Sequence, residues 1–192
     1  MNLDAQLLLL INHHLANPAF DILMPLLSFQ GYLLAIPFLI YILIQGFLLK
    51  NEQGTRFLLT ALSAIALACL ATYLADWTEH LMKDVIARPR PCSIMGNIRL
   101  IVPCPKSFSM PSGHAFSSFA FATPLAYLTR QYVSKAWRRY PLVLALMIAL
   151  SRPYLGVHYP TDILAGGLMG SAIGLGLSIV YEMIFLKPTS TR

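Results

Sequence analysis

The feature of this sequence that most limits its fold is a series of apolar segments able to cross a bilayer. A helix needs about 20 residues to cross roughly 30 Å of hydrocarbon. Backbone polar groups in lipid must be satisfied within the segment, so each segment is predicted to be a helix. The segments lie at 32–49, 57–77, 116–128, 141–150 and 163–186, and the two shorter ones extend beyond these bounds. We expect an all-α fold, a polytopic membrane helical bundle with five transmembrane helices, as a single domain over residues 1–192.

The composition excludes a soluble globular domain. Hydrophobic residues make up 57% of the chain and charged residues 11%, against about 25% charged residues in soluble domains. The net charge of +6 does not indicate nucleic-acid binding, because the basic residues lie mostly in short loops between apolar segments. Membrane topology and anionic headgroups account for such residues. The expected partners are the bilayer and a lipid, and the sequence does not indicate an oligomeric state.

Residues 1–29 form a lead-in of mixed character. The stretch INHHLANP interrupts the apolar pattern, and Asn17 with Pro18 is typical of a turn. We predict an amphipathic helix at the membrane interface, followed by a short helix that leads into the first crossing. A sixth crossing is the alternative. His13 and His14 are expected at the level of the headgroups.

Basic residues in the short loops predict the orientation, because they favour the cytoplasmic side. They fall in three regions and comprise Lys50, Arg56, Arg130, Lys135, Arg138, Arg139, Lys187 and Arg192. We expect these regions on the cytoplasmic side of a bacterial inner membrane. The loop 79–113 and the stretch 151–162 are then expected to face the periplasm or the cell exterior.

The first polar cluster on that side is KDVIARPRP, which places Lys83, Arg88 and Arg90 within eight residues. Three cations beside hydrocarbon repel one another unless an anion joins them. The cluster therefore indicates an anion site, with a positive juxtamembrane anchor as the alternative.

The second cluster is SMPSGHAFSSF. Pro111 suits the first turn of a helix, where its missing N–H is not needed. Ser112, Gly113 and His114 would share that turn with free N–H groups pointing outward, which favours anion binding. A simple helix start with a surface histidine is the alternative.

The third cluster is SRPYLGVHYPTD, between two apolar segments. Arg152 is costly beside a bilayer core and is expected to face a polar site. Pro160 predicts a helix start, with Asp162 in the first turn. A hydrogen bond from His158 to Asp162 would fix the imidazole tautomer and make the other ring nitrogen a better nucleophile. A purely structural His–Asp pair is the alternative.

Together the clusters supply cations, amide donors, two histidines and a carboxylate. Phosphoryl transfer by electrostatic clamping and a histidine nucleophile needs this set of groups. The histidines are scattered and the acids few, so no metal and no cofactor is expected.

The spacing Lys83–x6–Arg90–Pro91, the run 111–114 and the stretch 151–162 resemble the three-part signature of the type 2 phosphatidic acid phosphatases (PAP2), a superfamily that includes the vanadium haloperoxidases. The resemblance covers 83–162. It implies metal-independent hydrolysis of a phosphate ester on a membrane lipid: undecaprenyl diphosphate, phosphatidylglycerol phosphate, phosphatidic acid or lipid A 1-phosphate. The sequence does not choose among these lipids.

The resemblance also implies the role of each residue. His158 would attack phosphorus and form a phosphohistidine, Asp162 would orient its ring, and His114 would protonate the leaving oxygen and then activate water. The implied phosphate ligands are Lys83, Arg90, Arg152, Ser112 and the amide of Gly113. Arg88 lies outside the signature and is expected to contact the lipid headgroup. A lipid-to-lipid phosphotransferase and a non-enzymatic lipid-phosphate carrier are the alternatives, and the membrane spans argue against a haloperoxidase.

The remaining polar residues near the site have structural interpretations. Cys92 and Cys104 flank a loop on the predicted outer side, where an oxidising environment would favour a disulfide. Cys69 lies within a span and is interpreted as inert packing. Asp76, Glu79 and His80 precede Lys83 and are interpreted as a solvated helix end.

Overall fold

The computed structural model describes residues 2–49 and 52–186, and these contain helices, turns and loops but no strand. The all-α prediction is confirmed. The main helices are α1 (Leu3–Leu9), α2 (Pro18–Gln30), α3 (Ile36–Leu48), α4 (Glu52–Ile86), α5 (Pro91–Ile94), α6 (Gly113–Leu128), α7 (Lys135–Tyr154) and α8 (Pro160–Phe185). Three short turns extend or join them: a π-helical turn at Leu10–His14 and 3-10 turns at Gly31–Ala35 and Thr129–Gln131.

Within the described residues, three helical segments are long and apolar enough to cross a membrane, namely Gly31–Leu48, Glu52–Ile94 and Pro160–Phe185. The N-terminal pair Leu3–His14 and Pro18–Phe29, bent by 119°, is a fourth candidate if it is counted as one span. Helix α6 has only 16 residues and is too short to count as a crossing by length alone. The 20 residues of α7 include four basic ones, so α7 is not apolar enough. The number of five crossings therefore stays a prediction.

Helix α6 lies at the centre of the bundle and packs against α4, α7 and α8. Its approach to α8 is close because glycines line the facing side of α8. A Cβ at Gly166 would lie 2.5 Å from the carbonyl oxygen of Ser112, and a Cβ at Gly170 would overlap the carbonyl oxygen of Phe116. Small residues spaced four apart on a helix allow this approach.

The ends of α4, α6, α7 and α8 that carry the three polar clusters meet at one end of the bundle. The N–H of Ser112, just before α6, donates to the carbonyl of Asp162 in the first turn of α8, at 3.0 Å. Arg90, just after α4, donates to the carbonyl of Val157, between α7 and α8, at 3.0 Å. Arg90 and Val157, 67 residues apart in the chain, are thus brought into one site.

Basic residues gather at the other end of the bundle. Arg56 and Arg130 line one cleft between α4, α6 and α8, and Arg130 pairs with Glu182 at 2.5 Å. Lys50, Lys187 and Arg192, which the sequence assigns to the same side, lie outside the described residues. The side of the membrane on which each end lies stays a prediction.

The packing of α6 against α8 gives a test of the fold. In Gly170→Ala the new methyl group overlaps backbone, which cannot swing aside, so the helices must separate. We expect a lower thermal midpoint in detergent, despite the gain of about 1 kcal/mol that alanine brings to a helix interior.

The matched control is Gly176→Ala on the same helix, where a Cβ meets nothing within 4 Å. It is expected to keep or raise the midpoint. Equal midpoints for the two variants would contradict the close approach of α6 and α8.

Candidate active site

The imidazole of His158 lies at the centre of the site, in the connection between α7 and α8, and is only 2% exposed. Its Nε2 lies 2.9 Å from a terminal nitrogen of Arg90, and its Nδ1 lies 3.4 Å from Oδ2 of Asp162. A guanidinium only donates, so Nε2 must accept and Nδ1 carries the proton. Burial lowers the pKa of His158 to about 3, although the hydrogen bond to Asp162 opposes the shift. The ring is therefore neutral near pH 7, with its lone pair on Nε2.

Asp162 is fully buried in the first turn of α8, which begins at Pro160 as predicted. Its Oδ2 accepts from the N–H of Tyr159 at 2.8 Å and from the hydroxyl of Ser109 at 2.5 Å. Its Oδ1 accepts from Arg88 at 2.6 Å. Both oxygens are held, so the carboxylate has a defined direction towards His158.

Arg90 and Lys83 meet around Ser107. Arg90 is 4% exposed and donates to the carbonyl of Ser107 at 2.7 Å and to its hydroxyl at 3.0 Å. Lys83 pairs with Glu79, one helical turn away, and lies 3.4 Å from the same hydroxyl. The two cations that the sequence singled out thus share one polar anchor.

Arg152 lies at the C-terminal end of α7, is 5% exposed and donates to the hydroxyl of Ser28 on α2. Within the described residues its Nε has no hydrogen-bond partner, and neither has the buried hydroxyl of Ser112. These two buried donors can bind a ligand oxygen without breaking a hydrogen bond in which they already take part.

The start of α6 differs from the prediction by about two residues. The helix begins at Gly113, and Ser112 is its N-cap, so Pro111 precedes the first turn. The N–H of Ser112 is also not free, because it donates to the carbonyl of Asp162. Gly113 is required for a further reason: a Cβ there would lie 2.6 Å from Oε1 of Glu79. His114 follows in the first turn, half-buried.

One expectation from the sequence is wrong. Glu79 is not part of a solvated helix end, because it is 4% exposed and pairs with Lys83. Asp76 and His80 beside it are exposed, as expected. The guanidinium of Arg88 pairs with Asp4 and Asp162, at 2.6 Å each, and the expected headgroup contact stays a prediction.

Several residues of the site were not singled out in the sequence: Asp4, Ser28, Ser107 and Ser109. The pairing of Glu79 with Lys83 could have been predicted, because a carboxylate four residues before a lysine lies on the same helix face. Ser28 and Asp4 carry no such signal, since they reach the site only through the folding back of the N-terminal segment. Ligand atoms of Asp76, Glu79 and His80 lie within 4.8 Å of one another, but Glu79 is already paired with Lys83.

Cys92 and Cys104 form a disulfide, with their Cα atoms 5.9 Å apart. The bridge closes the loop between Arg90 and Ser107, the two residues that hydrogen-bond to each other at the site. Cys69 is a free thiol on the exposed surface of α4 rather than a packed core residue.

Residues 58–185 match the family model of the PAP2 superfamily. Two similar proteins are an undecaprenyl-diphosphatase of Sulfolobus acidocaldarius, 35% identical over 52% of this chain, and a lipid A 4'-phosphatase of Bacteroides thetaiotaomicron, 30% identical over 88% of this chain. The matches span 46% and 72% of the lengths of those relatives.

The fold is similar to that of two solved structures. Aquifex aeolicus LpxE aligns over 94% of this chain and 97% of its own with a TM-score of 0.68 and 24% identity. A transmembrane PAP2-type phosphatidylglycerolphosphate phosphatase from Bacillus subtilis aligns over 94% and 85% with a TM-score of 0.69 and 23% identity. At these identities the likeness concerns the fold alone.

The disulfide gives a second test. Cys92→Ser is expected to lower stability by about 2–4 kcal/mol, because the opened loop gains freedom in the unfolded chain. The folded variant should retain most activity, since Arg90 and Ser107 remain joined by their own hydrogen bonds. Thermal unfolding in detergent measures the loss, and reductant should lower the wild-type midpoint in the same way.

Cys69→Ser is the matched control and should unfold like the wild type with and without reductant. A Cys92→Ser midpoint equal to that of the wild type would contradict a stabilising bridge.

Proposed function

Because this chain belongs to the PAP2 superfamily, we propose that it is a membrane phosphatase that removes phosphate from a lipid through a phosphohistidine intermediate. The observation that carries the proposal is the buried, neutral imidazole of His158. Its Nδ1 faces a carboxylate, and its Nε2 lone pair faces a guanidinium. A structural histidine does not need its lone pair directed at a cluster of cations.

In the proposed first step, Nε2 of His158 attacks phosphorus and the ester oxygen leaves with a proton from His114. Asp162 stabilises the imidazolium character that develops on the ring. In the second step, His114 takes a proton from water, which attacks the phosphohistidine, releases phosphate and restores the lone pair on Nε2. The same histidine thus acts first as acid and then as base.

The phosphate oxygens are assigned to Lys83, Arg90, Arg152, Ser112 and the amide of Gly113. Two side-chain donors without a partner in the described residues support the assignment, Nε of Arg152 and the hydroxyl of Ser112. The N-terminus of a helix such as α6 also attracts anions through its first-turn N–H groups. Fixed cations stabilise the charge on the transferring phosphoryl group, the role that metal ions take in other phosphoryl-transfer sites. The mechanism is therefore proposed to be independent of metal.

The substrate class is proposed to be a lipid phosphate or diphosphate. The site lies at the ends of apolar helices, so a headgroup can reach it while the tails stay in hydrocarbon. The names of the similar proteins include an undecaprenyl-diphosphatase and a lipid A 4'-phosphatase. We further propose five crossings in a bacterial inner membrane, with the site facing the periplasm or the exterior because the opposite end is basic.

Phosphate release by purified protein in detergent with EDTA tests the proposal. The substrates are undecaprenyl diphosphate, phosphatidylglycerol phosphate, phosphatidic acid and lipid A 1-phosphate. Wild type should release phosphate from at least one of them. His158→Ala should release none, since the covalent route is lost. His14→Ala, which changes an exposed histidine, is the control and should match the wild type.

The outcomes separate the alternatives. Labelled phosphate that appears on an added lipid acceptor would favour a phosphotransferase. A folded wild-type protein that neither releases phosphate nor transfers it to an acceptor would favour a carrier. Undiminished phosphate release by His158→Ala would overturn the assignment of His158 as the nucleophile.

Arg152→Lys is expected to lower kcat/KM about 10- to 100-fold, because an ammonium cannot reproduce a bidentate contact with phosphate. The size of the loss corresponds to one charged hydrogen bond, which contributes about 1.5–3 kcal/mol. The measurement is steady-state kinetics on the preferred lipid. Arg138→Lys, at the basic end of α7, is the control and should not change kcat/KM. Near-normal kinetics of Arg152→Lys would contradict its role as a phosphate ligand.

A further inference from the structure

A charged network ties the N-terminal helix to the first turn of α8. Asp4 on α1 accepts from Arg88 at 2.6 Å and from the N–H and hydroxyl of Thr161 at 3.0 and 2.5 Å. Arg88 donates in turn to Thr161 at 2.8 Å and to Oδ1 of Asp162 at 2.6 Å. Its guanidinium carbon lies 3.9 Å from the ring centroid of Tyr159. Asp4 therefore caps α8 from another helix, and Arg88 connects that cap to Asp162.

The contact with Arg88 is one of three that fix the direction of the Asp162 carboxylate, and among these three it alone binds Oδ1. Oδ2 faces His158 at 3.4 Å, and Oδ1 is bound by Arg88. A carboxylate is planar and rotates about one bond with little resistance, so holding Oδ1 also sets the position of Oδ2. The hydroxyl of Ser109 and the N–H of Tyr159 bind Oδ2 alone.

Asp4 is needed for the charge balance. A guanidinium paired with Asp162 alone would neutralise it and weaken its support for a positive charge on His158. With Asp4 present, two carboxylates share one guanidinium and the group keeps a net charge of −1. The side chains of Asp4, Arg88 and Asp162 are 12%, 22% and 0% exposed, so solvent screens these charges only in part.

We propose that Arg88 and Asp4 are positioning residues: they hold Asp162 so that it keeps the proton of His158 on Nδ1 and the lone pair on Nε2. The inference rests on the proposed function for its kinetic consequence, but not for its consequence on the tautomer. It assigns a role to the N-terminal helix beyond that of a membrane-surface lead-in.

The chain contains a matched control in Arg99. This arginine also pairs with an acid of the N-terminal segment, Asp21, at 2.7 Å, and its guanidinium carbon lies 5.1 Å from the ring centroid of Tyr154. It thus fastens the same segment to the same end of the bundle. Its partners in the structure do not include Asp162.

The experiment compares Arg88→Gln, Arg88→Lys, Asp4→Asn and Arg99→Gln in the full chain in detergent. Steady-state kinetics use the lipid that wild type hydrolyses best. The ring of His158 is followed by ¹⁵N NMR of histidine-labelled protein, with its signals assigned by their loss in His158→Asn. Thermal midpoints measure the structural cost of each substitution.

Arg88→Gln should lower kcat about 10- to 100-fold with little change in KM, the range found when a group that orients a catalytic ligand is lost. Its His158 spectrum should change from the Nδ1-protonated tautomer to a mixture of tautomers. Arg88→Lys should keep a higher kcat and more of the Nδ1-protonated tautomer than Arg88→Gln. Asp4→Asn should lower kcat less than Arg88→Gln. Arg99→Gln should lower the midpoint while keeping the wild-type kcat and tautomer.

Wild-type kcat and tautomer in Arg88→Gln would overturn the inference. So would an equal loss of kcat in Arg99→Gln, because docking of the N-terminal segment would then be the cause. Failure of the proposed function is a separate result, namely no phosphate release by wild type, and the tautomer comparison still decides the positioning role.

Discussion

The arrangement of the site depends on one buried carboxylate, that of Asp162. It receives the N–H of Tyr159, the hydroxyl of Ser109 and the guanidinium of Arg88, and it faces Nδ1 of His158. Tyr159 is the N-cap of α8, Ser109 lies in the loop before α6, and Arg88 lies in the loop after α4. An unpaired carboxylate in such a place would be strongly destabilising, so the surrounding donors are a condition for the fold as well as for the chemistry.

The position of that carboxylate depends on how closely α6 and α8 approach. Gly166 lets the backbone of α8 come near the carbonyl of Ser112, and one turn earlier the carbonyl of Asp162 accepts from the N–H of Ser112. The glycines of α8 are therefore not only a packing feature. They set the distance between the start of α6, which is proposed to hold the phosphate, and the start of α8, which orients the proposed nucleophile His158.

The sequence predicted the all-α class, the start of α8 at Pro160 and the placement of the three polar clusters at one end of the bundle. Apolar length and helix-start residues are local signals, so they can be read from the sequence. It did not predict that Glu79 is buried or that Arg88 binds Asp4, because both depend on contacts between distant segments. Asp4 and Arg88 are 84 residues apart in the chain. The start of α6 was placed too early because a tertiary hydrogen bond, from Ser112 to the carbonyl of Asp162, occupies the N–H group that the local pattern left free.

The cations of the site are not equally neutralised. Lys83 has Glu79, and Arg88 has two carboxylates. Arg90 and Arg152 are 4% and 5% exposed, yet within residues 2–49 and 52–186 neither forms an ion pair. Their partners are neutral carbonyl, hydroxyl and imidazole groups. Buried charges without a counter-charge reduce stability, and a bound phosphate would supply the missing negative charge where the donors already converge. An anion bound there would recover the stability lost to these arginines. The charges that bind a phosphate headgroup would then be the same ones that are proposed to stabilise the transferring phosphoryl group.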